Sequence, residues 1–426
     1  MVYGSFMTLY KEIGSCRICG NIELDLILDL GEMALTGVFP KIKDENVPSG
    51  PLTLVKCRES ISDNFCGLVQ LKQSYNPELM YRQNYGYRSG LNDSMVSHLH
   101  NKVKKILNLV TLNLDDIVVD IGSNDSTLLQ AYSKNQKSLI GFDPTGEKFF
   151  KYYPHHITLI QDFFSAIAFK KKFGYKKAKI ITSIAMFYDL EKPIEFVRDV
   201  HEILADDGIW VFEQSYMPSM LEVNAFDTIC HEHLEYYRLK QIQWMMKKVG
   251  FKIIDIELNQ SNGGSFSVTV AKSGSSIPES QDVTRLLLEE KKKGLSTNKP
   301  YEEFKNRVFS FKSDIRKLLD KIHNQNGLIL GYGASTKGNV LLQFADITSK
   351  DIPYIGEVNT DKFGCYTPGT RIPIISEEEA RIMNPHYFFV FPWHFKDFIL
   401  AKEKSNPKES TSLLFPLPLI EILNKI

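Results

Sequence analysis

The sequence predicts an α/β chain in three parts: an N-terminal zinc-binding module, a central Rossmann-like domain and a smaller C-terminal Rossmann-like domain. Three observations carry this. Four of the six cysteines fall within the first 66 residues. From about Asp115 strand-like and helix-like runs alternate, the pattern of a mainly parallel, doubly wound sheet. A second strand enters a glycine-rich turn much later, at Leu328–Ser335. A chain of 426 residues is too long for one hydrophobic core. The composition shifts place the borders at 1–75, 76–272 and 273–426.

Lys+Arg and Asp+Glu both number 51, so the formal net charge is zero. Nothing in that balance calls for a nucleic-acid or membrane partner, although a neutral total can hide local patches. Met1–Lys11 has no apolar run of signal-peptide length, and no window approaches 18 uninterrupted apolar residues. The expectation is a cytoplasmic protein whose cysteines are reduced or ligate metal.

In the first module Cys16 and Cys19 form a C-x-x-C knuckle, and Cys57 and Cys66 follow about 40 residues on. Such a set builds a tetrahedral Zn(II) site. The second pair is irregular, because Arg58–Phe65 separates its cysteines with a polar insert that can loop out. Four thiolates leave no open coordination position, so the metal is expected to be structural. The module reads as small and loop-rich, with few strands, and in need of such a staple. The aromatic stretch Tyr81–Gly90, which includes Tyr87, reads as a loop over a bound ligand or as a linker packing its tyrosines.

The central domain shows strand-like runs at Ile117–Ile121, Ser138–Phe142, Ile157–Ile160, Lys179–Ile184, Gly208–Glu213, Phe251–Glu257 and Ser265–Ala271. Helix-like runs fall between most of them, at Pro193–Leu204 and Lys240–Val249 among others. The last two strands lack an intervening helix and read as an edge hairpin. A sheet of this form resembles the class I S-adenosylmethionine (SAM)-dependent methyltransferases. Gly122 lies just past the first strand, where a missing Cβ lets a ligand approach the backbone. Asp120, Asn124 and Asp125 around it suit a cationic, amino-acid-bearing ligand better than a pyrophosphate. Asp143, 23 residues after Asp120, can accept ribose hydroxyls at the end of the second strand. Asp162 and Phe163, past the third, can meet an adenine amino group and ring. NAD is the nearest competitor, and the missing G-x-G-x-x-G disfavours it.

Phe226–Tyr237, F-D-T-I-C-H-E-H-L-E-Y-Y, packs two histidines, three carboxylates and two tyrosines into twelve residues. Titratable groups at that density cost stability where desolvated and point to chemistry, against the plainer reading of a polar helix start over buried tyrosines. A metal held by His231 and His233 is disfavoured, because alternate residues on a helix point apart. Past the linker Ser273–Gln281 come charged helices at Val283–Gly294 and Tyr301–His323, then strands at Tyr354–Val358 and Tyr387–Phe391. The C-terminal turn has Thr336 where a dinucleotide fingerprint has its third glycine, so Lys337 at the helix start is read instead as a phosphate partner.

Taken together, the chain resembles the three-domain, zinc-containing SAM-dependent C-methyltransferases that act at C-3 of nucleotide-linked 4-keto-deoxysugars. The resemblance rests on the four-cysteine module with C-G-L-V-Q-L, V-V-D-I-G-S-N-D, F-D-x-I-x-x-E-H at Phe226–His233, N-G-G-S-F at Asn262–Phe266, and G-Y-G-A-S-T-K-G-N at Gly331–Asn339. It implies C–C bond formation in deoxysugar biosynthesis, with the zinc away from the chemistry. It implies His233 as base, since histidine has the pKa for the task at about 6.5, and Glu232 beside it to orient it or bind the sugar. His231, Glu235, Tyr236 and Tyr237 stand as second choices. A dTDP- or GDP-linked substrate is expected between the domains, near Asn262, Lys337, Asn339 and His394 in the Phe391–His394 turn; for that turn the alternative is a plain aromatic cluster. Two positions depart from the pattern. Ser126 stands where many class I enzymes have glycine, and Cys230 stands where a family tyrosine precedes the catalytic histidine. That phenol's role is unfilled or passes to a residue such as Tyr87. Methyl transfer to another small acceptor, and a zinc-bearing binding or scaffold protein, are the competing readings.

Overall fold

A computed structural model describes residues 8–59, 65–77, 87–404 and 411–424. The predicted ligand loop therefore lies partly outside the described residues, at 81–86, as does most of the insert between Cys57 and Cys66.

The N-terminal part is more regular than its sequence suggests. Short strand β1 (Tyr10–Glu12) pairs antiparallel with β5 (Gln73–Tyr75). Between them β2 (Leu24–Ala34), β3 (Ser49–Cys57) and β4 (Val69–Leu71) form an antiparallel sheet. The expectation of few strands is corrected here. The alternation Leu24-Asp-Leu-Ile-Leu-Asp-Leu carried the period-2 signal for an 11-residue strand.

The central sheet has strands β6 (Ile117–Ile121), β7 (Ser138–Phe142), β8 (Ile157–Ile160), β9 (Ala178–Ile184), β10 (Leu204–Ser215), β12 (Phe251–Asn259) and β13 (Ser265–Lys272). Their order is β12-β13-β10-β9-β6-β7-β8, parallel except for β13, which runs antiparallel to both neighbours. Helices α1 (Asp93–Leu109), α2 (Ala166–Phe173), α3 (Pro193–Ile203) and α4 (Leu239–Val249) accompany this part of the chain. Local chemistry sets their ends. The Asn92 side chain accepts from Ser94 N–H at the start of α1, Pro193 opens α3, and Gly250 ends α4 at φ +99°.

The third sheet places β14 (Ile329–Tyr332), β15 (Ile355–Glu357), β16 (Ile374–Ser376), β17 (Tyr387–Val390), β18 (Ser412–Phe415) and β19 (Glu421–Leu423) in the order β16-β15-β14-β17-β18-β19. Before it run α5 (Gln281–Lys292) and the 26-residue α6 (Lys299–Asn324); α7 (Thr336–Phe344) follows β14. Ser335 Oγ caps α7 by accepting from Gly338 N–H at 3.0 Å.

The sheets do not keep to the sequence borders. Strand β11 (Glu235–Tyr236), from the middle of the chain, pairs with β4 and completes a four-stranded N-terminal sheet in the order β11-β4-β3-β2. Buried residues of that sheet share one hydrophobic core with α6 and the third sheet. Cys16, Cys57 and Cys66 instead join the core of the central sheet. Helix α5, just past the linker, packs on β12 and α4.

Candidate active site

The dense stretch is neither a helix start nor a solvated face. Phe226 is fully buried, its ring 5.2 Å from Phe311 on α6 and 5.1 Å from Phe344 on α7. A single 3-10 turn, Phe226–Thr228, aims the Thr228 carbonyl at His233, whose Nδ1 lies 2.7 Å away. A carbonyl oxygen only accepts, so Nδ1 carries the ring proton and Nε2 keeps its lone pair. Tyr188 meets the ring edge-on at 4.5 Å. Burial, reinforced by the Lys337 charge, pulls the His233 pKa down to about 4 despite the Thr228 bond. Beside it, burial pushes Glu232 up to about 7. A methyl group on Gly37 would collide with the Glu232 carboxylate, so the N-terminal part of the chain forms the wall behind it.

Both side chains line a cavity of about 1350 Å³. His231 faces away from this cavity. Its Nδ1 accepts from Thr36 N–H at 3.3 Å, its ring is 1% exposed, and it is absent from the cavity wall. Glu235, Tyr236 and Tyr237 are also buried away from the cavity; the Tyr236 hydroxyl donates to the His233 carbonyl at 3.2 Å.

The same cavity runs over the carboxyl ends of β6 and β7. Gly122 sits there at φ +73°, a left-handed conformation that favours glycine. Asp120, Gly122, Asn124, Asp143 and Phe163 all line the cavity. Asp143 is held firmly: its Oδ2 accepts from Asn124 N–H at 2.7 Å, and its Oδ1 from Thr145 N–H at 2.7 Å and the Thr145 hydroxyl at 2.5 Å. Thr182 donates to Asp120 at 2.6 Å, and burial pushes that carboxyl up to about 7. Two of the predicted cofactor residues lie off the wall. Asp125 accepts from Gly90 N–H at 2.9 Å, while Asn124 accepts from Ser89 N–H at 3.0 Å, so the pair pins the chain leaving the ligand loop. Asp162 is exposed and accepts from Phe163 N–H at 2.8 Å. Tyr87 lines the cavity half exposed, its carbonyl accepting from Asn124 Nδ2 at 3.1 Å. A bare glycine turn flanked by carboxylates and phenyl rings fits a cationic nucleoside such as SAM.

Sequence reasoning missed Glu213 and Asp227. Glu213 lies near the carboxyl end of β10, on the cavity wall. Burial pushes its pKa up, yet His98 at 2.6 Å and Lys102 at 2.7 Å hold it down at about 2. Its place at a strand's carboxyl end was the available signal. Asp227 is fully buried; its Oδ2 accepts from Trp393 Nε1 at 2.8 Å. The Lys337 charge also acts on it, and Lys337 Nζ donates to the Asn262 carbonyl at 2.8 Å. Asp227 thus sits where the Phe226–Tyr237 stretch, the 261–264 turn and the third sheet meet. Asn262 and Lys337 line the cavity; Asn339 and His394 do not. Asn339 donates to the Thr36 carbonyl at 2.8 Å and ties α7 to the N-terminal part, whereas His394 is half-buried beside Trp393 with its Nδ1 unpaired.

Sγ atoms of Cys16, Cys19, Cys57 and Cys66 all lie within 4.8 Å of one another, with Cys16–Cys66 and Cys19–Cys57 both at 3.5 Å. Zn–S bonds of about 2.3 Å in a tetrahedron set the sulfurs roughly 3.8 Å apart. The cluster therefore fits a closed, structural Zn(II) site.

Comparison with known proteins gives the same three parts. Residues 16–81 match the family model of a zinc binding domain, 95–256 that of a methyltransferase domain, and 260–418 that of the C-methyltransferase C-terminal domain. The C-methyltransferase NovU of Streptomyces niveus is 26% identical over 415 residues, covering 96% of this chain and 97% of the relative. Among solved structures, the methyltransferase CcbJ of Streptomyces caelestis aligns with 41% of this chain and 90% of its own (9% identity, TM-score 0.32). A SAM-dependent methyltransferase of Clostridium acetobutylicum aligns with 42% and 92% (12% identity, TM-score 0.33). The three matches, in order along one chain and with a relative aligned over nearly its whole length, make this chain a SAM-dependent methyltransferase similar to C-methyltransferases such as NovU.

Proposed function

We propose that the methyl acceptor is C-3 of a dTDP- or GDP-linked 4-keto-deoxysugar in deoxysugar biosynthesis, and that His233 is the base. The observation that carries this reading is that His233, with its Nδ1 committed to Thr228, shares one cavity with the cofactor turn. A ketone at C-4 acidifies the C-3 proton, and Nε2 takes it. The electron pair left at C-3 is delocalised onto the C-4 oxygen as an enolate. Glu232, protonated up to about pH 7, donates to that oxygen. SAM, when bound, supplies the electrophilic methyl group. Tyr188 and the Thr228 carbonyl fix the ring plane, which keeps the base aimed while the ketone is held.

Three of the five lysines that line the cavity come from the C-terminal part of the chain, Lys337, Lys362 and Lys402, and they support an anionic tail such as a nucleoside diphosphate. On this reading the described part of the ligand loop, with Tyr87, covers the cofactor side, and Asn262 and Lys337 border the acceptor. Asn339 and His394 support that wall from behind.

The test is incubation with SAM and dTDP- or GDP-4-keto-6-deoxyhexoses, scored by a methyl mass gain and by deuterium exchange at C-3. His233→Asn should bind SAM as the wild type does and lose about 10²–10⁴-fold in turnover. Undiminished C-3 exchange in that variant would remove His233 from the role. No exchange at any 4-ketosugar by the wild type would point to a different small acceptor.

A further inference from the structure

The catalytic segment holds a second group of metal-type ligands, chemically unlike the four-cysteine cluster. One ligand atom each from Cys230, Glu232 and His233 lies within 4.8 Å of the others. Cys230 is fully buried, whereas Glu232 and His233 open onto the cavity, so an ion has a path in. His233 is already in the arrangement a metal ligand requires, with Nδ1 donating to a backbone carbonyl and Nε2 unprotonated.

We propose that Cys230, Glu232 and His233 form a binding site for a soft divalent cation, Zn(II) or Cd(II), and that its occupancy blocks turnover. A thiolate, a carboxylate and an imidazole are a ligand set for such ions, with a fourth position facing the cavity for water. Binding displaces one proton from the Cys230 thiol and one from Glu232, both released to solvent. Two anionic ligands then offset the charge of the ion. Lys337 lies close enough to feel both the Cys230 thiol and the Asp227 carboxyl. Occupancy consumes the Nε2 lone pair. The blocking effect, as distinct from the site, therefore rests on His233 being the base.

The experiment is a Cd(II) titration of the full-length protein with its four-cysteine cluster already filled by cadmium, followed through the ultraviolet thiolate-to-cadmium absorption. One further equivalent should add to that band in the wild type and none in Cys230→Ser. SAM binding by calorimetry verifies that the variant is folded, and His233→Asn should weaken the extra equivalent at least tenfold. Methyl transfer should fall with occupancy, recover on adding a chelator, and be insensitive to cadmium in Cys230→Ser. An absent extra band, or one that persists in Cys230→Ser, overturns the site. A Cys230-dependent band with undiminished turnover would support the site and count against His233 as the base.

Discussion

At the scale of single residues, the environment decides which of several similar side chains can act. His231 and His233 are two positions apart, yet one nitrogen accepts from a backbone N–H and the other donates to a backbone carbonyl. Both are pulled down to about 4 by burial. Between the ordinary histidine value of about 6.5 and 4, the unfolded chain takes up protons that the folded one refuses. The stability linked to these groups is therefore complete above pH 6.5 and is lost as pH falls toward 4. Thermal unfolding of His231→Gln should show a smaller drop in midpoint over that window than the wild type. Glu232 runs the other way. With its pKa at about 7, kcat/KM should fall above pH 7 as the carboxyl ionises, and Glu232→Gln, a permanent donor, should lose that limb. Ser126 shows how a sequence departure is accommodated. It adopts φ +64° where glycine would be easier, while its hydroxyl donates to the Tyr152 carbonyl at 3.3 Å and accepts from Gln130 at 3.0 Å.

At the scale of elements, the two-residue strand β11 counts for more than its length. It continues directly from the loop that carries Glu232 and His233, and its pairing with β4 fixes where that loop can lie. Arg17, next to the zinc ligand Cys16, reaches across this junction. It donates to the carbonyls of Leu71 at 2.6 Å and Gln73 at 3.0 Å and lies 3.6 Å from the buried Glu235. Arg17→Ala removes these charge-assisted hydrogen bonds and should cost about 1.5–3 kcal/mol in denaturant unfolding, with zinc content unchanged by elemental analysis. Gly37→Ala should scarcely change stability, because the atoms in its way end a flexible side chain. It should still lower turnover several-fold by moving Glu232, with SAM affinity unchanged by calorimetry. The central strands were legible because parallel strands buried on both faces read as apolar runs; β6, β7 and β8 begin and end where expected. Strand β11 was not, since Glu-Tyr has no periodicity and its partner lies more than 160 residues earlier. Of the residues singled out in the sequence, Glu232, His233 and the turn after β6 come to line one cavity. Asp227 owes its place to contacts with Trp393 and Lys337 that no local pattern encodes.

At the scale of the whole molecule, the zinc cluster and the chemistry are separated by sulfur ligation but joined by packing. Gln241 on α4 donates to the Cys66 carbonyl at 2.8 Å, and three of the four cysteines sit in the central core. Removing zinc with a strong chelator should therefore lower the unfolding temperature of the central domain as well, followed by tryptophan fluorescence of the buried Trp210. Among the described residues, no helix is long and apolar enough to cross a membrane. The strand exchanged between the middle of the chain and the N-terminal sheet has a consequence for building hybrids. Recombining such enzymes at the apparent seam near residue 75 would leave β4 of one parent facing β11 of another. A working chimera should need residues 226–237 to travel with the N-terminal sheet, so the heritable unit of this catalyst is discontinuous along the gene.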